Sequence, residues 1–203
     1  MYPLRDTELL WRGKSPGHIA PLLPRAAPHA HVDIFPLYDY KHPIVRDIIW
    51  SLKYTGSMEA ARLCATLLYD LIIDEIAERH MFRTIGKPLL IPVPLSRVRT
   101  RERGFNQCLR IAQEIERLDH ETSFLLRDNI LVKTRDTQSQ AKSESRTERM
   151  QNLKGCFDVV ANINGQDIIV IDDVLTTGST LIEIRNTLKN AGARNVLCFT
   201  FAH

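Results

Sequence analysis

An α/β fold, with a mainly parallel β-sheet flanked by helices, is what this 203-residue sequence predicts. Three observations lead to it. Ile168-Ile169-Val170-Ile171 is an unbroken β-branched run. Such a run suits a strand buried on both faces, as parallel strands are. Short apolar runs of this kind alternate with segments whose apolar residues recur three and four apart, the helical period. The chain is also 44% hydrophobic, enough to bury one sizeable core with a small appendage.

Residues 1–36 hold Pro3, Pro16, Pro21, Pro24, Pro28 and Pro36, six of the ten prolines. That density blocks helix interiors and central strands, so this segment reads as an irregular arm. Its histidines, His18, His29 and His31, with His42 just beyond, lack helical ligand spacing and read as solvated loop residues. Regular structure starts at Pro43, which suits a first helical turn, and Ile44, Val45, Ile48, Ile49 and Leu52 follow with helical period. Tyr54-Thr55-Gly56 breaks the chain, and a second helix runs from about Met58 to Glu78. Leu89 to Val93 reads as a buried strand ending at Pro94. A basic loop, Ser96 to Gly104, leads to a helix from Phe105 to about Leu118. Ile130-Leu131-Val132 is a further strand. Lys133 to Lys154 is polar and aperiodic, with Ser145 and Glu148 spaced as a capping box. The strand at Ile168 is followed by a helix from Ser179 to about Ala191, stopped by Gly192, and a last strand from Val196 to Phe201.

Composition excludes several classes. No stretch approaches the roughly 20 apolar residues that span a bilayer, and no basic start precedes an apolar run, so a soluble, cytoplasmic protein is expected. Cys64, Cys108, Cys156 and Cys198 are widely spaced, with no C-x-x-C pair. No zinc is expected, and the four read as reduced core thiols. A net charge of +3 does not by itself mark a nucleic-acid binder.

Chemistry concentrates in Ile168 to Thr180. A buried strand delivers Asp172 and Asp173 to its C-terminal end, where open α/β sheets bind ligands. The loop Thr176, Thr177, Gly178, Ser179, Thr180 then opens a helix. A helix N-terminus offers amides and a positive dipole end to a phosphate. The hydroxyls add donors, and Gly178 permits close approach. Two carboxylates repel a phosphate but suit sugar hydroxyls or Mg²⁺. The pattern therefore points to a sugar phosphate. An acid pair after a strand also occurs in other Mg²⁺ sites, and a Thr/Ser/Gly loop can be only a cap; it is their order that is specific. No G-x-x-x-x-G-K-[ST] is present, so a P-loop is excluded.

This stretch resembles the 13-residue phosphoribosyl-pyrophosphate (PRPP) signature of type I phosphoribosyltransferases. Ile91-Pro92-Val93-Pro94-Leu95, Arg101 to Gln107, Arg135 to Gln140 with Arg146, Arg149 and Asn152, and Ser51 to Gly56 are similar to the ComF/GntX family. The likeness spans about residues 33–203. Many members begin with a four-cysteine zinc module; here no cysteine precedes Cys64.

The resemblance implies a type I phosphoribosyltransferase-like domain over 37–203, with a helical hood at about 37–80 and a PRPP-binding core at about 88–203. It implies that Asp172 and Asp173 contact the ribose hydroxyls and Mg²⁺ and act as catalytic residues, while Thr176 to Thr180 bind the 5′-phosphate. Ser96, Arg97, Arg99 and Arg101 are the implied pyrophosphate ligands. Arg135, Gln138, Arg146 and Arg149 fall in the implied flexible loop that closes over PRPP. The activity implied is pentosyl transfer to an acceptor. The family's association with natural competence implies instead, or in addition, a part in DNA uptake beside other uptake proteins. Arg101 and Arg103, beside Phe105, are candidates to contact single-stranded DNA.

Overall fold

The computed structural model describes residues 6–79, 86–120, 122–135 and 153–203. Five strands form one parallel sheet: β1 (Ile34–Tyr38), β2 (Leu89–Pro92), β3 (Leu125–Leu126), β6 (Asp167–Val174) and β7 (Asn195–Ala202). Their order is β1-β7-β6-β2-β3. β4 (Leu131–Lys133) and β5 (Phe157–Val159) pair antiparallel as a separate ribbon. The strand expected at Ile130 therefore exists but does not join the main sheet. The helices are α1 (Pro16–Ile19), α2 (Pro43–Trp50), α3 (Met58–Glu78), α4 (Arg97–Arg103), α5 (Gln107–Asp119) and α6 (Ser179–Asn190).

The unbroken apolar run in β6 is explained by cover on both faces. Ile169 and Ile171 point into a core shared with α2, α3 and α5, where Phe199 and Phe201 of β7 join them. Ile168 and Val170 point the other way, into a core with Leu181, Ile184 and Leu188 of α6. Alternate side chains of one strand thus feed two cores.

Two elements depart from the sequence expectation. β1 straddles the end of the proline-rich segment, with Pro36 opposite Thr200. β1 is an edge strand, where a missing amide is tolerated. The preceding chain also belongs to the body. Trp11 is 1% exposed and its Nε1 donates to Asp47 Oδ2 at 3.3 Å, and Ile19 and Leu23 are buried in the same core. The second departure is the basic loop after β2, which is helix α4. Ser96 Oγ accepts from the Arg99 amide at one end, and Gly104, with φ 75°, closes the other. A cap and a left-handed stop suffice for a seven-residue helix even with Val98 and Thr100 in it.

The connections place the site. β2 and β6 are neighbours, with Pro92 opposite Ile171. From β6 the chain passes through α6 to β7 on one side, and from β2 through α5 to β3 on the other. The sheet order reverses between β6 and β2. At such a switch point the two connections diverge and leave a crevice at the C-terminal strand ends.

Candidate sugar-phosphate site

Asp172 and Asp173 end β6 at this crevice. Asp173 is buried and Asp172 half-buried. The Asp173 amide donates to Asp172 Oδ1 at 2.9 Å, and the Cys108 thiol of α5 donates to the same oxygen at 3.3 Å. Lys53 reaches in from the other side, its Nζ 3.2 Å from Asp173 Oδ2. Burial first, and the Asp173 charge next, push the Asp172 carboxyl up to about 6. Burial alone would lower the Lys53 ammonium. Attraction to Asp173, then Asp172, outweighs it and holds Lys53 above its usual value.

The loop after the acids turns sharply. Gly178 has φ 77° and is the residue before α6, so no side-chain oxygen caps the helix there. Thr177 Oγ1 and Ser179 Oγ are 2.9 Å apart, and the Ser179 amide donates to Thr177 Oγ1 at 3.4 Å. Thr176 is exposed, Thr177 and Thr180 are half-buried, and Ser179 is buried. Hydroxyls and helix amides therefore converge at one helix start beside an acid pair.

His29 corrects the view of the arm histidines as solvated. Its Nδ1 accepts from the His31 amide at 3.1 Å, and its ring lies edge-on to His203. A Cβ at Gly178 would fall 2.8 Å from His29 Nε2, so the arm packs directly on this loop.

The basic residues divide. In helix α4, Arg97 and Arg101 share one side, and Arg99 and Arg103 another, because residues four apart are neighbours. Arg97, Arg99 and Arg101 are exposed. Arg103 donates to Gln107 Oε1 at 3.0 Å and lies over the Tyr54 ring, 5.8 Å from its centroid. Ser96 is buried and its hydroxyl serves as the α4 cap. Arg135 donates to the carbonyls of Lys154 at 2.8 Å and Gly155 at 3.0 Å, joining the two ends of the segment that follows β4. Gln138, Arg146 and Arg149, with the Ser145 to Glu148 spacing, lie outside the described residues.

Sequence reasoning missed Lys53, Cys108 and His29 as site residues. Lys53 sits in the quoted Ser51 to Gly56 stretch, but a lysine at a helix end ordinarily reads as surface charge. It turns inward because Ser51–Thr55 is a π-helical turn, closed by Gly56 at φ 62°. Such turns are frequent at functional sites.

The donors beside the acid pair suit a metal only in part. One carboxylate oxygen from each of Asp172 and Asp173 and the Cys108 sulfur lie within 4.8 Å of one another. Two carboxylates suit Mg²⁺, a hard cation that keeps several of its waters. The thiol does not. Burial, followed by the Asp172 and Asp173 charges, pushes it well above its ordinary range, so it stays protonated. Burial raises the Cys64 and Cys198 thiols as well, and all four cysteines are free and buried.

A parallel sheet whose switch point carries an acid pair, a hydroxyl loop and an uncapped helix start defines a phosphoribosyltransferase-like protein. The phosphoribosyl transferase domain family matches residues 110–203. Competence protein ComFC of Bacillus subtilis is 31% identical over 212 residues, covering 92% of this chain and 78% of its own. The chain is 32% identical over 161 residues to the DNA utilization protein YhgH of Escherichia coli K12, covering 78% of this chain. It spans 66% of that relative's length. Competence protein F of Haemophilus influenzae is 31% identical over 153 residues, covering 73% of this chain and 63% of its own. The hypoxanthine phosphoribosyltransferase of Trypanosoma cruzi aligns with a TM-score of 0.45 at 11% identity, over 71% of this chain and 65% of its own. The chain belongs to the ComF family of phosphoribosyltransferase-like proteins. No helix among the described residues is long and apolar enough to cross a membrane.

Proposed function

We propose that this protein binds PRPP as its Mg²⁺ complex at the end of β6 and serves a ComF-type role in DNA uptake. Asp172 and Asp173 take the ribose hydroxyls and share the cation. The loop from Thr176 to Thr180 takes the 5′-phosphate. Arg97 and Arg101, on one side of α4, face the pyrophosphate. The single observation that carries the reading is the strand–loop–helix unit itself, with two carboxylates at the strand end and a helix whose capping residue, Gly178, has no side chain, leaving only the first amide tied, to Thr177 Oγ1. The cation would neutralise charge on a departing pyrophosphate. In pentosyl transfer the bond from ribose C1 to pyrophosphate breaks through an oxocarbenium-like state. The protein's part is then to position and to stabilise charge, the acids holding the ribose and the arginines the leaving group.

The test is calorimetric titration of PRPP with Mg²⁺ into the wild type and into a variant carrying Asp172→Ala and Asp173→Ala. Binding to the wild type and its loss in the variant are expected. A folded wild type that takes up no PRPP would overturn the reading.

A second reading, binding of single-stranded DNA, is favoured by one surface. Tyr54 is 64% exposed, its ring centroid lies 5.4 Å from that of Trp50, and Arg103 lies over it. Arg110 lies over Phe105 at 4.0 Å. Aromatic rings beside arginines are what unpaired bases need to stack on. Names of relatives such as competence protein ComFC and DNA utilization protein YhgH support a DNA role. Fluorescence anisotropy with an oligothymidylate probe checks it. Charge reversal at Arg101 and Arg103 should abolish binding, and unchanged affinity would sink this reading.

A further inference from the structure

The acid pair already has a cation beside it, supplied by the protein. Lys53 Nζ stands 3.2 Å from Asp173 Oδ2, and both side chains are largely withdrawn from water. That carboxylate oxygen takes no hydrogen bond from any other described group. Asp172 and Asp173 are also the two carboxylates of the one group of described residues whose ligand atoms could surround a metal ion. A divalent ion at the pair would therefore share an oxygen with an ammonium. Two cations on one carboxylate, in a site poor in water, repel strongly.

The ammonium is held by more than a flexible tether. Ser51–Thr55 is a π-helical turn that follows α2, and Thr55 Oγ1 donates to the Ser51 carbonyl at 2.7 Å. Gly56 ends the turn, and Arg110 donates to its carbonyl. Lys53 is thus presented from a turn pinned at both ends.

We propose that Lys53 is a resident counter-cation of the acid pair, so that Asp172 and Asp173 hold no divalent ion in the free protein. A metal enters only with an anionic ligand, whose charge offsets it and gives the displaced ammonium a new partner. This order of events rests on the sugar-phosphate reading; exclusion of the bare metal does not. Lys53 is a positioning residue in this scheme, keeping the buried acids paired until the ligand arrives.

Manganese without any sugar phosphate is the probe, with the free ion counted by electron paramagnetic resonance. The wild type should retain none at millimolar metal. Lys53→Met should bind Mn²⁺ at least about tenfold more tightly, since it removes the competing charge. Adding Asp172→Asn to Lys53→Met should abolish that binding, and Lys53→Arg should behave as the wild type. Lys53→Met leaves Asp173 buried and unpaired, so it should melt lower than the wild type and recover on adding Mn²⁺. Lys53→Gln, which keeps a donor to Asp173, serves if the methionine variant does not fold. Equal Mn²⁺ binding by wild type and folded Lys53 variants overturns the proposal, as does tight binding by Lys53→Arg. The two readings fail separately. A wild type that ignores PRPP beside a Lys53→Met that binds Mn²⁺ leaves only the counter-cation standing. A wild type that binds both PRPP and bare Mn²⁺ leaves only the PRPP site.

Discussion

β2 and β6 run side by side and each leads into a helix on the crevice, yet the two helix starts are built in opposite ways. After β2, side chains cap the first turn of both helices. Ser96 caps α4, and Asn106 caps α5, its Oδ1 accepting from the Cys108 amide at 2.9 Å and the Leu109 amide at 3.4 Å. Asn106 Nδ2 also donates to the Val93 carbonyl at 3.0 Å, which locks the strand exit to the helix. After β6, the capping position of α6 is a glycine with no side chain to offer. A helix start that is tied off contributes stability. One left open gives that up and keeps its amides for an anion. Two strand ends a few ångströms apart thus serve different ends, scaffold and ligand.

The largest effect should come from closing the open start. Gly178→Ala puts a side chain at φ 77° and a Cβ 2.8 Å from His29 Nε2. Strain and collision together should cost about 1–3 kcal/mol in urea unfolding. PRPP affinity should fall by about 100-fold or more, as the loop shifts off its phosphate geometry. Near-normal PRPP binding by this variant would break the contrast between the two starts.

Asp172→Asn should separate stability from binding. The Asp172 carboxyl sits at about 6, above its ordinary value, so its charge is held at a cost at neutral pH. The folded protein takes up this proton as pH falls through about 6, whereas the unfolded chain does so only near the ordinary carboxylate value. Stability from this group therefore rises as pH falls through that window and is lower above it. Asparagine removes the cost, so the variant should be about 1–2 kcal/mol more stable than the wild type at pH 8. That gain should shrink by pH 4.5, while PRPP binding is lost at every pH. A variant less stable than the wild type at pH 8 would show that the charge is compensated after all.

Asn106→Ala tests the closed start. It removes a cap and the link to Val93, and should cost about 1–2 kcal/mol. PRPP affinity measured well below the melting temperature should change less than about twofold, because the cap touches only backbone.

How much of this contrast the sequence carried depends on range. β6, the acid pair, the hydroxyl loop and α6 are contiguous, so periodicity and residue type located them together. β1 was hidden because proline density outweighs a five-residue strand signal, and only pairing with β7 makes an edge position that tolerates Pro36. Helix α4 was hidden because alternate arginines suggest no helical face, and the Ser96 cap with the Gly104 stop decided it. Lys53 lies 120 residues from Asp173 and His29 lies 149 from Gly178. No local pattern announces contacts at that separation. His29 lacks helical ligand spacing and so reads as solvent-facing in the sequence, and folding the arm over the sheet gives it a partner.

The smallest effect on the fold should come from Arg97, which separates two anion sites that the open start alone cannot distinguish. Arg97 is exposed on α4, one residue past the Ser96 cap, so Arg97→Ala should move stability by no more than about 0.5 kcal/mol. PRPP and ribose 5-phosphate share the 5′-phosphate, and only PRPP carries pyrophosphate. If Arg97 grips the pyrophosphate, the alanine variant should bind PRPP about tenfold more weakly, the loss of one charge-assisted contact. Ribose 5-phosphate should bind as before, since α6 and its loop are untouched. Equal weakening toward both ligands would place Arg97 in the general field of the crevice. No weakening toward either would leave the β2 side as scaffold alone, with the whole of the anion site on the β6 side.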